Sequence, residues 1–365
     1  MENKTHNQVD NSLDEIRGHH RQHVVSIVEP NQMGEESATV EPVKTVEPVK
    51  KDYFLPVSIL IAAVVISGTW IYTTGSRSAP SQNQNKNLSP TESVLSALEE
   101  RVLPPKGVAL PVRWGDLGKK MVAASVIDQT AFESLYASRG GLSADMKSLL
   151  DAGENDKIVI TPQNSGVLLN LFWAFGLANK NPILESGPMQ DPKYGGAGNF
   201  ASTGGWTLAK GSTMTHYSTH RFIALSADKQ GLVERVAKGI YRPCCGNSTY
   251  FPDCNHGMAM LGLLELMAAQ GVSEEDIWKV ALAVNSYWFP DTYLTIATYM
   301  KNKGVDWQDV SPQEVLGANY SSAQGYAQIA SQVTAPSAAQ GGSGCGVDTG
   351  QSAPAPQRQE SGCGI

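Results

Sequence analysis

The stretch that decides the fold is Tyr241–Gln270, YRPCCGNSTYFPDCNHGMAMLGLLELMAAQ. It carries three of the five cysteines, Cys244, Cys245 and Cys254, and places His256 two residues past the third. Its second half reads as a helix. Met258, Leu261, Leu264, Leu266 and Met267 recur densely enough for a largely buried one, and Gly271 supplies a stop. Asp253 or Asn255 is the expected cap. Cys254 and His256 then fall at the first helical turn, where unpaired backbone N–H groups favour an anion and lower a thiol pKa. Cys244 and Cys245 lie in the Pro/Gly/Asn-rich loop before it, which can fold back over that helix end.

Three chemistries fit this cluster. The first is a metal site: thiolate, imidazole and the thioether of Met258 or Met260 are soft or borderline ligands, suited to copper or zinc. The spacing CC-x8-C-x-H matches no standard zinc pattern. The second is a disulfide from Cys254 to Cys244 or Cys245, stapling loop to helix. The third is a nucleophilic Cys254 activated by the helix end and a histidine. Inert buried cysteines are the plain alternative to all three.

Upstream of this stretch stands Met214-Thr215-His216-Tyr217-Ser218-Thr219-His220. His216 and His220 are four residues apart and share a face of a helix or strand, which makes them candidate helpers for the metal cluster. The glutamate of an H-E-x-x-H protease is missing, because Tyr217 follows His216. Residues 185–215 are glycine-rich and read as an ordered loop framing a site. Neither a phosphate loop nor a dinucleotide-binding glycine pattern is present.

Helix signals recur on both sides. Ser89-Pro90-Thr91-Glu92, Ser273-Glu274-Glu275-Asp276 and Ser311-Pro312-Gln313-Glu314 are N-terminal capping patterns. The last is expected to open a helix that runs, with glycine breaks, to about Val333. Short helices are predicted over Asp116–Ala123, Ile127–Tyr136, Ser143–Ala152 and Ser226–Lys238, and another after Asp291 as cap. Gly166–Ala178, GVLLNLFWAFGLA, is apolar all round and too short to span a bilayer, so it reads as the central core helix. Leu103–Trp114, LPPKGVALPVRW, reads as a break, and Asp156–Pro162 as a single short strand. The expectation is a mainly α, multi-helix domain over residues 89–334, with one short strand.

Residues 1–52 are polar and hold four of the seven histidines, with TVEPVK repeated in tandem at Thr39–Lys44 and Thr45–Lys50. Such a segment buries no core and is expected to be a disordered tail. Phe54–Tyr72, within residues 53–74, carries no charge and matches one bilayer crossing. Tyr53, Trp70 and Tyr72 stand near its ends, and Lys44, Lys50 and Lys51 precede it. The charge bias puts the N-terminus in the cytoplasm and the domain outside, at the cell membrane. Residues 75–88 are the linker.

All five cysteines follow this segment, in a compartment where disulfides are permitted. Their odd number leaves at least one thiol without an intrachain partner. The segment 335–365 is a Gly/Ser/Pro/Cys-rich tail, also expected to be disordered, in which Cys345 and Cys363 repeat one Ser-Gly-Cys-Gly setting. These thiols suit passing a soft metal to the folded site, exchanging disulfides with it, crosslinking chains, or closing a loop by a Cys345–Cys363 disulfide.

A net charge of −7 with no basic stripe argues against nucleic acid as a partner. The lack of C-x-x-C excludes a thioredoxin-type centre, and the lack of C-x-x-C-H excludes covalent haem. The expected protein is therefore a single-pass, anchored extracytoplasmic domain that binds or relays a soft metal, with a metal donor or acceptor protein as partner. The competing expectations are a disulfide-stapled interaction domain and a thiol enzyme.

Overall fold

The computed structural model of the chain describes residues 90–333. The expected cytoplasmic tail, transmembrane segment and linker, and the tail bearing Cys345 and Cys363, lie outside the described residues. Among those described, no helix is long and apolar enough to cross a membrane.

The domain is mainly helical, as its repeated capping signals predict. In chain order its helices are α1 (Pro90–Val102), α2 (Leu117–Ala123), α3 (Gln129–Ala137), α4 (Ala144–Asp151), α5 (Ser165–Ala178), α6 (Pro182–Ser186) and α7 (Ala201–Gly204). They continue with α8 (Ala227–Gly239), α9 (Asn255–Ala269), α10 (Glu274–Trp288), α11 (Pro290–Asn302), α12 (Pro312–Leu316), α13 (Ala318–Ser321) and α14 (Ala323–Ala330). Several caps are the expected residues: Asp128, Ser143, Ser226, Ser273 and Ser311 each accept a backbone N–H of the first turn. Asp291 is not a cap but sits in the first turn of α11, because Pro290 already occupies the first helical position. The C-terminal helical run breaks where expected, at Gly317, and again at Ser322.

One expectation fails at the strands. Residues read as a break form β1 (Val108–Arg113), which pairs antiparallel with β2 (Lys157–Ile160), Val108 opposite Ile160. Gly107 turns the chain into β1 at φ 83°. Leu110 and Val112 then face the core, while Pro111 points outward. Proline in a two-stranded ribbon needs no ladder partner for its nitrogen. The Gln270 side chain completes the ribbon, donating to the Arg113 carbonyl at 2.7 Å and accepting from its N–H at 2.8 Å.

The core is organised on α5 and α9. Every residue of α5 from Val167 and of α9 as far as Ala268 is buried. The two helices meet backbone to backbone at Gly176 and Gly262. A Cβ on Gly262 would lie 2.6 Å from the Phe172 carbonyl oxygen and 2.8 Å from the Gly176 nitrogen. Bulkier residues at this crossing would force the helices apart. Around the pair, Trp114, Trp173, Trp206 and Trp288 each donate the indole N–H to a main-chain carbonyl. The first turn of α9 is thereby fixed in the interior, and the loop from α8 must fold over it.

Candidate metal centre

Residues 240–254 connect α8 to α9 in a pinned loop. Tyr241 and Ser248 form a short antiparallel bridge, and the Thr249 N–H donates to the Ile240 carbonyl at 2.7 Å. The loop is also tied outward. Tyr241 donates to the Leu316 carbonyl at 2.8 Å, the Cys245 carbonyl accepts from Ala323 at 2.9 Å, and Ser202 donates to the Asp253 carbonyl at 3.1 Å. These ties fold Cys244 and Cys245 back onto the start of α9.

The cap of α9 is neither Asp253 nor Asn255 but Cys254 itself, whose sulfur accepts the Gly257 N–H at 3.5 Å. Cys254 is fully buried, and Cys244 and Cys245 are partly exposed. Cys244 Sγ stands 3.6 Å from Cys254 Sγ. One ring nitrogen of His256 joins these two sulfurs in a group whose atoms all lie within 4.8 Å of one another. A second such group, Cys245, Asp253 and Cys254, shares the Cys254 sulfur. His256 is 3% exposed, its ring packs on Phe289 with centroids 4.3 Å apart, and its Nδ1 has no hydrogen-bond partner.

The residue that organises the cluster is Arg242, which sequence reasoning passed over. It is completely buried. Its Nε–H donates to Cys254 Sγ at 3.2 Å, and Nη2 donates to the Phe251 carbonyl at 3.1 Å and to Asp253 Oδ1 at 2.5 Å. Asn247 holds the other Asp253 oxygen at 2.6 Å. Gly257 makes room for the guanidinium: a Cβ there would sit 2.7 Å from Arg242 Cζ. The available signal was Arg242 itself, two residues before Cys244 in a loop bound to cover an apolar helix.

The electrostatics concentrate one negative charge on Cys254. Hydrogen bonds from Cys244 and Cys245 hold its thiol well below the usual range, against the effect of burial and with the help of the Arg242 charge. Cys244 is pushed up by its hydrogen bonds with Cys245 and Cys254 and by burial. Cys245 rises to about 11: the hydrogen bond with Cys244 pulls it down, but the one with Cys254 and burial outweigh it. Burial also raises Asp253, although Arg242 opposes this. Burial alone would pull Arg242 down, and the surrounding thiols and Asp253 hold it above its ordinary value instead.

The other expected ligands are placed as follows. Met258 is fully buried on α9, four residues after Cys254, with its carbonyl against Gly176. His216 and His220 belong to neither ligand group. They face each other, Nδ1 to Nε2 at 3.1 Å, across a turn in which Ser218 adopts φ 53°. That turn docks on the end of α5, where His220 and Asn179 form a parallel bridge. The pair therefore sits on a tight turn rather than on one face of a regular element.

The geometry bears on each of the three chemistries. No disulfide is present among the described residues, and 3.6 Å is far from a bonded separation of about 2.05 Å. Two thiolates at about 2.3 Å from a tetrahedral ion stand about 3.8 Å apart, close to the distance here. The Cys254 sulfur, the proposed nucleophile of the third chemistry, is completely buried. The Cys/His cluster can hold a metal ion. No family model, no curated protein and no solved structure matches the chain.

Proposed function

We propose that this domain binds a soft or borderline metal ion, copper(I) or zinc(II), through Cys244, Cys254 and His256. The observation that carries the reading is that one ring nitrogen of the buried His256 is grouped with two sulfurs 3.6 Å apart; Nδ1 of that ring also lacks a hydrogen-bond partner. A buried polar nitrogen without a partner is costly unless a ligand satisfies it. Arg242 supports the site by offsetting thiolate charge from the second layer of contacts, the role such partners play around metal centres. Met258, one turn along α9, is the further soft donor within the buried helix. On this reading the chain is anchored by the apolar segment within residues 53–74, holds its domain outside the cell membrane, and exchanges its ion with a donor or acceptor protein. Cys345 and Cys363 are the tail thiols suited to that exchange.

The test is elemental analysis of the full-length chain carrying Cys345→Ser and Cys363→Ser, so that the tail contributes no thiolate. About one copper or zinc per chain is expected, and Cys254→Ser should remove it. Metal-free protein with Cys254 oxidised to Cys244 or Cys245 would overturn the reading in favour of a stapled scaffold.

A further inference from the structure

The two ligand groups are not alternatives of equal standing, because they differ in how far they lie from solvent. Cys244 and Cys245 are both partly exposed and Cys254 is common to the two groups, so the difference lies at the third member: the Asp253 side chain is 12% exposed, whereas His256 is buried. The sulfur of Cys254 belongs to both groups. Cys244 lies against Cys254, sulfur to sulfur at 3.6 Å, and is the chain neighbour of Cys245. Asp253 Oδ1 accepts from Arg242 and, at 4.0 Å, from Cys245 Sγ, so its spare acceptor capacity lies on Oδ2, which offers two lone pairs and holds Asn247. Resting on the metal reading above, we infer that the cluster is a two-station path. A thiophilic ion is first taken by Cys245, Asp253 and Cys254. It then pivots about the Cys254 sulfur to its resting place on Cys244, Cys254 and His256.

The pivot proceeds one bond at a time. The bonds from the ion to Asp253 and Cys245 break as those to His256 and Cys244 form, and the bond to Cys254 is kept throughout. Cys244 gives up its proton as it binds. Cys245, released as a thiolate next to Cys244 in the chain, takes that proton up, so the charge of the three-thiol group is conserved. Bonded contact with Cys254 at every stage spares the ion a bare passage into a buried site, where an unligated charge is strongly disfavoured. Asp253 supplies an oxygen donor at the outer station, which binds a soft ion less tightly than sulfur or imidazole does. The outer station is therefore the transient one.

An intermediate station alters rates in both directions and leaves the equilibrium alone. The experiment follows cadmium(II) as the probe, by its thiolate-to-metal absorption in stopped flow, on the full-length chain with Cys345→Ser and Cys363→Ser. Added Cys245→Ser should slow both loading and chelator-driven removal, each roughly tenfold, with unchanged stoichiometry and affinity. The chain that retains Cys245 should load in two phases, the first with weaker sulfur absorption than the second. This second measurement keeps the inference testable if the serine variant fails to fold. A variant with normal loading but faster loss and weaker affinity would make Cys245 a resident ligand and overturn the path. A single loading phase would overturn it as well. No cadmium uptake by the chain that retains all three loop cysteines would instead overturn the metal reading on which the path rests.

Discussion

At the scale of single residues, the cluster depends on a cation that is not itself a candidate ligand. Arg242 pairs at once with the buried Cys254 sulfur and the partly exposed Asp253 carboxylate, with separate nitrogens on each and a third bond to the Phe251 carbonyl. The planar guanidinium suits this because its donors point in fixed directions, which a lysine ammonium on a flexible stem cannot reproduce. Arg242→Ala leaves the buried Cys254 thiolate and the partly exposed Asp253 carboxylate without a counterion. The expected cost is roughly 3–5 kcal/mol, the range for breaking a buried ion pair, read as a lower urea midpoint. A loss under about 1 kcal/mol, the worth of an exposed pair, would refute the counterion role. The cysteines and His256 were legible in the sequence because soft ligands gathered at a helix start are rare. Arg242 and the true cap were not, because one loop arginine says nothing of its burial. A cysteine is also not among the residues expected to close a helix.

At the scale of elements, α5 and α9 were legible as buried helices from their continuous apolar character, and their caps and stops from serine, proline and glycine. Two things escaped. The strand β1 was hidden by prolines at 104, 105 and 111, which outweighed the alternation of Val108, Leu110 and Val112 although only one of them lies within the strand. The second was Glu265, which sits on α9 with no exposure and no cation among its bonding partners. Asn179 and Asn181 each donate a side-chain N–H to it, at 2.6 and 2.7 Å. Burial raises its pKa well above the usual 4.5, against those two amides. The folded chain therefore keeps this proton over a pH range in which the unfolded chain has released it. Stability from Glu265 is full below about pH 4.5 and falls as pH rises toward the folded pKa. Cys254 works in the opposite sense, because its lowered thiol favours folding as pH rises. Wild-type melting alone mixes the two, so the test is a difference. Melting temperatures of Glu265→Gln minus wild type should increase from pH 5 to pH 8. A difference that stays flat would mean that Glu265 is ionised in the folded state throughout.

At the scale of the whole molecule, the candidate site is local in sequence but not in structure. Its ligands fall within Cys244–His256, yet the loop hangs on Leu316 of α12, on Ala323 at the start of α14 and on Ser202 of α7. His256 packs against Trp288 and Phe289 at the end of α10. No spacing rule in the sequence announces such contacts, which is why the gathering of Cys244, Cys254 and His256 was legible and its supports were not. The consequence is thermodynamic. An ion that binds only the assembled cluster stabilises every element that must be in place to assemble it, by about 2.7 kcal/mol when free ion is a hundredfold above its Kd. If these supports unfold as one unit, zinc at that excess should move a single calorimetric transition to higher temperature without splitting it. Cys254→Ser should abolish the shift. A transition that splits on loading would show that the loop and α9 form a separate cooperative unit. An unmoved transition under saturating zinc would mean that the ion binds the unfolded thiols as well as it binds the folded cluster.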